Sequence, residues 1–386
     1  MHDNVLITWN PFIFLGLFCY LTSAAASTSP MADADWSDLP KELLNMISER
    51  IDIEIDMIRF RSVCSNWRRS SSVPNHHLNL TINFPLHKSL SNSTITSFCC
   101  LSKRSIFLIK PQPPQKQQQT LIRPWLVRIT QNSSGKKKRF DPFLSHHSSS
   151  TSFYLPRAID FHKLSVLHLG ADFITNELAF HMLLPQKVIS IGKHSLFLGI
   201  LKNCTPQLVL FTCGNQPWKW IPEISTTSGD ICVFKGRFYA ADKFCRTVMI
   251  GPDSTVQMVA EHVVHGGDRK LLVESDGELL LVDIYESLDF GINVFRFHEK
   301  EKKWVKLMNL GDRVLFLGEG CSFSASASDL CVSKGNCIVF IDDSVSAYWM
   351  QGGNGVYHLD QGRVSPVSRY HEYFNLFSPP DWILES

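Results

Sequence analysis

The chain has 386 residues, 44% of them apolar and 11% aromatic, which is ample for a folded core and excludes disorder throughout. The 38 Lys and Arg nearly balance 36 Asp and Glu, and a formal charge of +2 gives no basis for a general nucleic-acid binder. The length indicates two or more structural units, or one small unit beside a large β-rich one.

The first thirty residues form a hydrophobic leader. An apolar run at 12–21 is followed by alanines at 24–26, which is the pattern of a signal-peptide core and cleavage site. No Lys or Arg precedes the run, and it is short for a membrane span. Met31 would make a natural start by itself. We therefore interpret residues 1–30 as an upstream extension, with a working signal or membrane anchor as the alternative.

A helical segment is predicted over residues 36–71. Ser37 and Asp38 are N-cap residue types, and Pro40 falls in the first turn, where its missing N–H costs nothing. An apolar stripe with helical spacing then consists of Leu43, Met46, Ile47 and Ile51, widened by Leu44.

The next stretch, "IDIEIDMIRF" at 51–60, is ambiguous. Its isoleucines alternate as in a strand, but three of its apolar residues also fit a helix. The residues Phe60, Val63, Cys64 and Trp67 restore a clear helical face. We predict a helix over 53–63 and a second, short helix through Trp67.

After residue 75 the pattern changes to short apolar runs separated by turn residues. Lys235-Gly236 and Ser275-Asp276-Gly277-Glu278 have the composition of hairpin turns, and only a stretch near 174–184 could hold a helix. The predicted strand regions are 105–110, 187–192, 195–200, 207–213, 230–242, 246–253, 271–283, 292–307 and 336–343. Evenly spaced strands indicate a closed or repeating all-β architecture. At about 45 residues per blade, some 300 residues would make six or seven propeller blades.

A weak internal repeat supports this architecture. Trp125, Trp220 and Trp304 each precede an aliphatic residue, and they lie 95 and 84 residues apart. Both spacings are near twice the 40–50 residues of one four-stranded blade. Ordinary tryptophans in a β core are the alternative explanation.

Two low-complexity stretches, near 111–120 and within 131–152, cannot bury enough apolar surface to order themselves and are predicted to be exposed loops. The second contains four consecutive basic residues, Lys136, Lys137, Lys138 and Arg139. They are a candidate nuclear-import signal, and a solvated hairpin tip is an equally good reading.

No catalytic pattern is present: the phosphate-loop, dinucleotide-binding, nucleophile-elbow and H-E-x-x-H zinc motifs are all missing. The 11 cysteines are odd in number and include no C-x-x-C pair, which argues against a zinc site or a disulfide framework. We interpret them as reduced, mostly buried thiols of an intracellular protein. Neither a catalytic residue, a metal site nor a cofactor is predicted.

Residues 36–70 resemble an F-box. The matching elements are Leu39-Pro40, the apolar positions of the first helix, and "RFRSVCSNWRRS" at 59–70. The remainder resembles the C-terminal kelch-like or propeller-like domain of a large plant F-box family, of the SKIP/KIB type. Its recurring blocks are similar to "SDGELLLVD" at 275–283, the segment 295–318, "KGNCIVFIDD" at 334–343 and "PPDWI" at 379–383.

The resemblance implies an α+β chain by segments. A small three-helix F-box at 34–75 would precede a mostly all-β, propeller-like substrate-binding domain at 80–386. The protein would be the non-catalytic substrate receptor of an SCF-type cullin–RING ubiquitin ligase. The F-box would bind a Skp-type adaptor, and through it the cullin and RING subunits, while the propeller would recruit an unknown protein substrate. The residues predicted to bind the adaptor are Leu39, Pro40, Leu43, Leu44, Ile47, Ile51, Val63, Cys64 and Trp67.

The size of the F-box agrees with a partner-binding role, because about 35 residues rarely support an independent core. Location in the nucleus, the cytoplasm or both is expected, without nucleic acid, and without a membrane unless the run at 12–21 is an anchor. The alternative is a secreted or membrane-tethered propeller that binds carbohydrate or protein. It would carry glycans at Asn79, Asn92, Asn132 or Asn203. A third hypothesis is a propeller enzyme whose site combines distant loops.

Overall fold

A computed structural model describes most of the chain outside the leader and the low-complexity segments. The described residues are 36–51, 54–71, 80–83, 98–111, 123–131, 137–140, 164–175, 184–191, 196–202, 206–212, 218–225, 227, 229–261, 266–286, 290–318, 320–340, 355–380 and 382. The chain divides into two compact units, with a boundary between residues 76 and 77 and with residues 160–164 grouped with the first. We call them the headpiece and the propeller unit.

The headpiece is helical, as the apolar spacing predicted. A 3-10 turn, Trp36–Asp38, is followed by three α-helices: α1 (Lys41–Arg50), α2 (Glu54–Ser62) and α3 (Ser65–Arg69). Of the ambiguous stretch at 51–60, residues 54–60 are helical, because Met57 and Phe60 become buried against Leu44 and Trp67 in the headpiece core. A strand would have placed these two side chains on opposite faces.

The start of α1 differs from the prediction. Pro40 is the N-cap residue rather than part of the first turn, and its carbonyl oxygen accepts from Leu44 N at 3.1 Å. Ser37 and Asp38 do not cap the helix, because they belong to the preceding 3-10 turn. The side-chain amide of Asn66 holds that turn by donating to the carbonyl oxygens of Ser37 and Leu39, at 3.1 and 3.3 Å.

The propeller unit contains five antiparallel or mixed sheets among the described residues, which we call blades 1 to 5. Blade 1 consists of β1 (Leu80–Asn83), β2 (Phe98–Pro111), β3 (Trp125–Gln131), β4 (Lys137–Phe140) and β5 (Leu164–Thr175). Blade 2 consists of β6 (Leu184–Ile191), β7 (Leu196–Lys202), β8 (Gln207–Thr212) and β9 (Lys219–Ile221). Both ends of the region considered for a helix, 174–175 and 184, thus lie in strands, and 176–183 lies outside the described residues.

Blades 3 and 4 are regular four-stranded meanders, and blade 5 is mixed. Blade 3 consists of β10 (Asp230–Phe234), β11 (Arg237–Ala241), β12 (Thr247–Ile250) and β13 (Val256–Ala260). Blade 4 consists of β14 (Arg269–Ser275), β15 (Glu278–Tyr285), β16 (Gly291–His298) and β17 (Lys303–Leu307). Blade 5 consists of β18 (Arg313–Leu317), β19 (Phe323–Ser326), β20 (Cys337–Phe340), β21 (Gly355–His358) and β22 (Arg363–Pro366), with β18 and β20 parallel. Helices α4 (Ala327–Leu330) and α5 (His371–Asn375) and a 3-10 turn, Val367–Arg369, flank these last strands.

The five blades close into a ring through apolar clusters between neighbours. Each cluster joins two blades: Leu101 with Phe197, Leu208 with Ile231, Tyr239 with Trp304, Val294 with Leu315, and Leu126 with Phe316. The last of these joins blade 5 back to blade 1. Closure buries both faces of the sheets against their neighbours, which explains why strands such as β15, β18 and β20 are continuous apolar runs rather than alternating ones.

The prediction of six or seven blades is corrected to five among the described residues. The estimate divided the length by a standard blade, but blade 1 alone takes up residues 80–175, about twice a typical blade. Its β2 has 14 residues and its β5 has 12, and long connections separate its strands. Chain length therefore overstated the number of blades.

The predicted tryptophan repeat holds for Trp220 and Trp304, which occupy equivalent strands, but not for Trp125. Trp220 and Trp304 are each the second residue of the outermost strand of their blade, and these two blades are separated by one other. Trp125 instead opens β3 and lies in the blade next to that of Trp220. The 95-residue spacing thus spans one long blade rather than two.

The two predicted hairpin turns are both formed. Lys235 and Gly236 have φ values of 49° and 69°, and Asp276 and Gly277 have 52° and 72°. Two consecutive positive φ values define a type I′ turn, which matches the twist of the flanking strands. These turns set the register of β10 with β11 and of β14 with β15.

We predict that Gly277→Ala destabilises the propeller unit by about 1–2 kcal/mol, the cost of a left-handed conformation for an L-residue. A Cβ at Gly277 would meet no other atom, so the effect is purely conformational. The matched control is Asp276→Gly, which relieves the same strain next door and should change stability little. Urea unfolding measures both, and equal stability of Gly277→Ala and the wild type would contradict the prediction.

Buried ion pairs lie where the innermost strands meet. Lys187 of β6 donates to both carboxylate oxygens of Asp230 in β10, at 2.7 and 2.9 Å, and both side chains are at most 5% exposed. Asp230 also accepts from Leu272 N of β14 at 2.9 Å. One carboxylate therefore connects blades 2, 3 and 4. In blade 1, Arg104 of β2 pairs with Asp172 of β5, again fully buried.

The C-terminal segment forms a seam between blades 5 and 1. Leu126 N donates to Leu376 O at 2.7 Å, and the Arg123 guanidinium donates to Pro379 O at 2.9 Å. Trp382 Nε1 in turn donates to Arg123 O at 3.1 Å. Residues that follow the last blade strand thus attach directly to β3 and the residues before it.

Candidate functional site

The headpiece places its apolar side chains on two different surfaces. Leu44, Met57, Phe60 and Trp67 form the buried core, in which Phe60 and Trp67 rings lie 4.6 Å apart. One face of α1, with Leu44 and Ser48, is buried in this core. Ile47 packs against the edge of that core, whereas Leu43 and Met46 lie outside it, and their position decides what the headpiece can bind.

Leu43 and Met46 are the residues left over. They are 45% and 49% exposed, and their spacing of three places them side by side on the outer surface of α1. Trp36, in the turn before the helix, is 52% exposed. A headpiece this small gains nothing from exposing two large apolar side chains on one helix face. An exposed apolar face of this kind is typical of a partner-binding surface.

The surface is held by polar braces at the ends of the helices. Trp67 Nε1 donates to Trp36 O at 2.9 Å, which fixes the turn before α1. Arg61 Nη1 donates to the Ser71 carbonyl oxygen at 2.7 Å and to the Arg68 carbonyl oxygen at 3.1 Å. Asp56 pairs with Arg59 at 2.9 Å. Arg68 Nε in turn donates to Arg61 O at 3.2 Å, so three of the five arginines between residues 50 and 69 have partners within the headpiece.

Comparison with known proteins agrees with both units. Residues 98–358, more than half of the chain, match the KIB1-4 beta-propeller family, and residues 36–78 match the F-box domain. F-box protein SKIP23 of Arabidopsis thaliana is 32% identical over 90% of this chain and 95% of its own length. F-box protein At2g17036 of the same plant is 31% identical, over 91% and 95%. The putative F-box/kelch-repeat protein At5g24040 is 25% identical, over 91% and 99%.

The chain belongs to the plant F-box proteins with a KIB1-4 beta-propeller. The predicted family and the predicted order of a short helical F-box before an all-β propeller are thereby confirmed. The headpiece is the F-box of this protein, and its exposed face is the candidate site.

The structure distributes the nine predicted adaptor-binding residues of the F-box over three environments. Pro40 and Leu43 are exposed. Leu44 and Trp67 lie in the core at 0% and 5% exposure. The remaining five are partly buried and pack against that core: Leu39, Ile47, Ile51, Val63 and Cys64. That these residues bind an adaptor stays a prediction, and the core members can support binding only through the fold.

Met46 belongs to the candidate site but was not among the predicted site residues. The signal was present in the sequence, because Met46 was part of the apolar stripe. What the stripe could not reveal is that the F-box core selects Leu44 and Ser48 as the buried positions of α1 and turns Met46 outward. Core selection depends on α2 and α3, which pack against α1 from elsewhere in the chain.

Several other sequence features of the F-box protein fall partly or wholly outside the described residues. The leader at 1–30 lies outside them, as do the sequons at Asn79, Asn92, Asn132 and Asn203 and the segments 112–120 and 141–152. In the basic cluster, Lys136 lies outside them, whereas Lys137–Phe140 is strand β4, paired with β3. The backbone of Lys137, Lys138 and Arg139 is therefore a strand rather than part of the predicted loop.

Titratable groups inside the propeller have shifted pKa values with simple causes. Burial raises the pKa of the Cys232 thiol to about 12 and that of Cys321 to about 11. Both stay protonated at neutral pH and are poor nucleophiles. Within the described ranges, no three His, Cys, Asp or Glu side chains are grouped to hold a metal ion. Nor does that part of the chain include a helix of the length and apolarity needed to cross a membrane.

Proposed function

We propose that this F-box protein is the substrate-receptor subunit of an SCF-type cullin–RING ubiquitin ligase. The F-box would bind a Skp-type adaptor, which brings the cullin and RING subunits, and the propeller would recruit a protein target. The observation that carries the proposal is the exposed pair Leu43 and Met46 on a headpiece whose core is already complete. Ubiquitin transfer would belong to other subunits, so this chain would act without catalytic residues of its own.

Pro40 and Leu43 would contact the adaptor directly, with Met46 beside them. Burying two apolar side chains stabilises a complex by about 1.5–3 kcal/mol each. The half-buried residues around them, Leu39 and Ile47 among them, would add contacts at the rim. Association itself costs an estimated 4–15 kcal/mol, so a tight complex needs this larger surface.

The test is the double substitution Leu43→Asp with Met46→Asp. Losing about 3–6 kcal/mol of apolar burial corresponds to a loss of roughly a hundredfold or more in affinity. Binding of the purified chain to a purified Skp-type adaptor is measured by calorimetry. Met308→Asp is the matched control, because Met308 is 79% exposed but lies in the propeller unit. Unchanged adaptor affinity of the double variant, with a folded F-box, would refute the proposal.

The proposed receptor role would place this protein in the nucleus, the cytoplasm or both. The basic residues Lys136, Lys137, Lys138 and Arg139 are the candidate nuclear-import signal. Their replacement by alanine in a fluorescent fusion that starts at Met31 would test it, since an unchanged nuclear fraction would exclude the signal.

A further inference from the structure

Charge is distributed unevenly along the chain. Residues 57–140 contain 15 Lys and Arg and no Asp or Glu, although acidic residues occupy 36 of the 386 positions. Blade 1, residues 80–175, contains 13 basic and three acidic residues, whereas blades 2 to 5, residues 184–366, contain 18 and 20. The near-zero total charge therefore combines one strongly basic blade with four balanced ones. A charge concentrated in this way indicates a surface for an anionic partner.

Some of the basic side chains of blade 1 serve the fold. Arg104 is paired with Asp172, and both side chains are at most 3% exposed. Lys110 pairs with Asp329 of α4 at 2.5 Å. With these two ion pairs set aside, blade 1 keeps 11 basic residues against two acidic ones. The excess of positive charge in blade 1 is therefore much larger than these ion pairs require.

The densest part of this charge lies on the outermost strand of blade 1. Strand β4, Lys137–Phe140, has three basic residues in succession, and Lys136 precedes it. Their register partners in β3 are Gln131, Thr130 and Ile129, none of which is acidic. The alternation of a strand places basic residues on both of its faces. The neighbouring strand thus supplies no cross-strand counter-charge for the basic residues of β4.

The second edge of β4 determines which class of partner fits. In the part of the chain that the structure describes, β4 pairs with β3 and with no other strand. The backbone N–H and C=O groups of a free strand edge are complementary to another polypeptide. A second copy of this chain would set like charges opposite each other, which destabilises a strand pair, whereas Asp or Glu opposite Lys or Arg stabilises it. The edge therefore favours an acidic polypeptide.

We propose that β4 binds an extended acidic segment of the target protein by strand addition, with Lys137, Lys138 and Arg139 opposite its Asp or Glu residues. The other basic residues of blade 1 would attract the segment at longer range and make its association sensitive to salt. This deepens the proposed function, since it rests on the propeller being the target-binding unit. It places recruitment on blade 1.

The probe is a fluorescent twelve-residue peptide that alternates Glu with Thr, and its binding to the purified chain is measured by anisotropy. Purified components keep this measurement independent of nuclear import. The triple variant Lys137→Gln, Lys138→Gln, Arg139→Gln should bind the peptide roughly tenfold more weakly than wild type, because three opposite-charge pairs are lost. Bound peptide should also slow amide hydrogen exchange at Lys137–Phe140.

A matched control makes the same change of charge outside blade 1. It replaces three exposed lysines by glutamine, Lys243→Gln, Lys300→Gln and Lys306→Gln, and should bind the peptide as wild type does. The reversed strand, Lys137→Glu with Lys138→Glu and Arg139→Glu, should instead bind a peptide that alternates Lys with Thr. This gain of binding shows that the altered strand is folded.

Equal affinity of wild type and the triple glutamine variant would overturn the proposal. An equal loss in the matched control, or failure of the reversed strand to bind the Lys peptide, would do the same. Tighter binding of duplex DNA, single-stranded RNA or phosphatidylserine vesicles than of the Glu peptide would assign the strand to those polyanions instead. Adaptor binding, which depends on Leu43 and Met46, is measured on the same wild-type samples. Its absence would signal failure of the receptor role, whereas its presence confines a negative result to β4.

Discussion

Asp230→Asn should destabilise the propeller unit by about 3–5 kcal/mol, the usual effect of removing one partner of a buried ion pair. The variant keeps the volume of the side chain but leaves the Lys187 ammonium buried without its carboxylate. It also weakens the acceptor of Leu272 N, and with it the connection from blade 3 to blade 4. The midpoint of urea unfolding, followed by tryptophan fluorescence, measures the change.

A matched control shows whether the loss of stability comes from burial of the ion pair or from the loss of a charge alone. Lys235 and Glu299 also join blades 3 and 4, but their side chains are 56% and 51% exposed. Glu299→Gln should change the stability by about 0–1 kcal/mol, because exposed pairs contribute little. If Asp230→Asn changed the stability as little as Glu299→Gln, the Asp230 carboxylate would have no role in joining the blades.

The effect of Asp230→Asn should depend on pH with a defined sign. Burial lowers the pKa of Lys187, but the Asp230 carboxylate outweighs it and holds the pKa above the ordinary lysine value. The wild-type pair therefore stabilises the fold throughout the neutral range and loses this stabilisation only at strongly alkaline pH. In the variant, burial alone remains, so Lys187 can lose its proton earlier. The deficit should shrink as the pH rises toward about 10.

Trp67→Ala should unfold the F-box rather than merely weaken its binding. Truncating a buried tryptophan costs about 3–5 kcal/mol, which exceeds what a core of this size supplies. The substitution removes the ring that packs on Phe60 at 4.6 Å and the donor to Trp36 O. Limited proteolysis within residues 41–69 should become fast, while the urea transition of the propeller unit stays in place.

Trp67→Phe distinguishes support of the fold from direct contact. It keeps a ring against Phe60 and loses one hydrogen bond, worth about 1 kcal/mol. A folded F-box that still binds the adaptor would assign Trp67 to the core. A folded F-box that no longer binds would instead mean that Trp67 contacts the adaptor directly, as the sequence alone suggested.

Turns and helices that depend on neighbouring residues were predicted well from the sequence. The type I′ turns at Lys235-Gly236 and Asp276-Gly277 mark their hairpins, because few residues tolerate positive φ. The helix over Glu54–Ser62 was likewise predicted, since Phe60 and Trp67 required a helical face on both sides of Val63. These features depend on residues close together in the chain.

Features that depend on distant residues were predicted poorly. Lys187 and Asp230 lie 43 positions apart, and nothing in either neighbourhood marks them as partners. The predicted number of blades was wrong for the same reason, because that number depends on which strands join blade 1. At the candidate site, the choice of Leu44 as a core residue over Met46 is made by α2 and α3. An apolar stripe fixes the periodicity of a helix but not which of its edges faces solvent.

The seam between blades 5 and 1 has a consequence for how the protein is made. The ribosome releases the strand beginning at Trp125 some 250 residues before Leu376, its hydrogen-bond partner at the seam, has been synthesised. Ile106, Leu108 and Leu126 likewise have no apolar surface of blade 5 to cover them until the strands that begin at Arg313 have been synthesised. Nascent chains thus carry an open, aggregation-prone flank for most of translation, and chaperones that recognise apolar strands have that whole interval in which to bind.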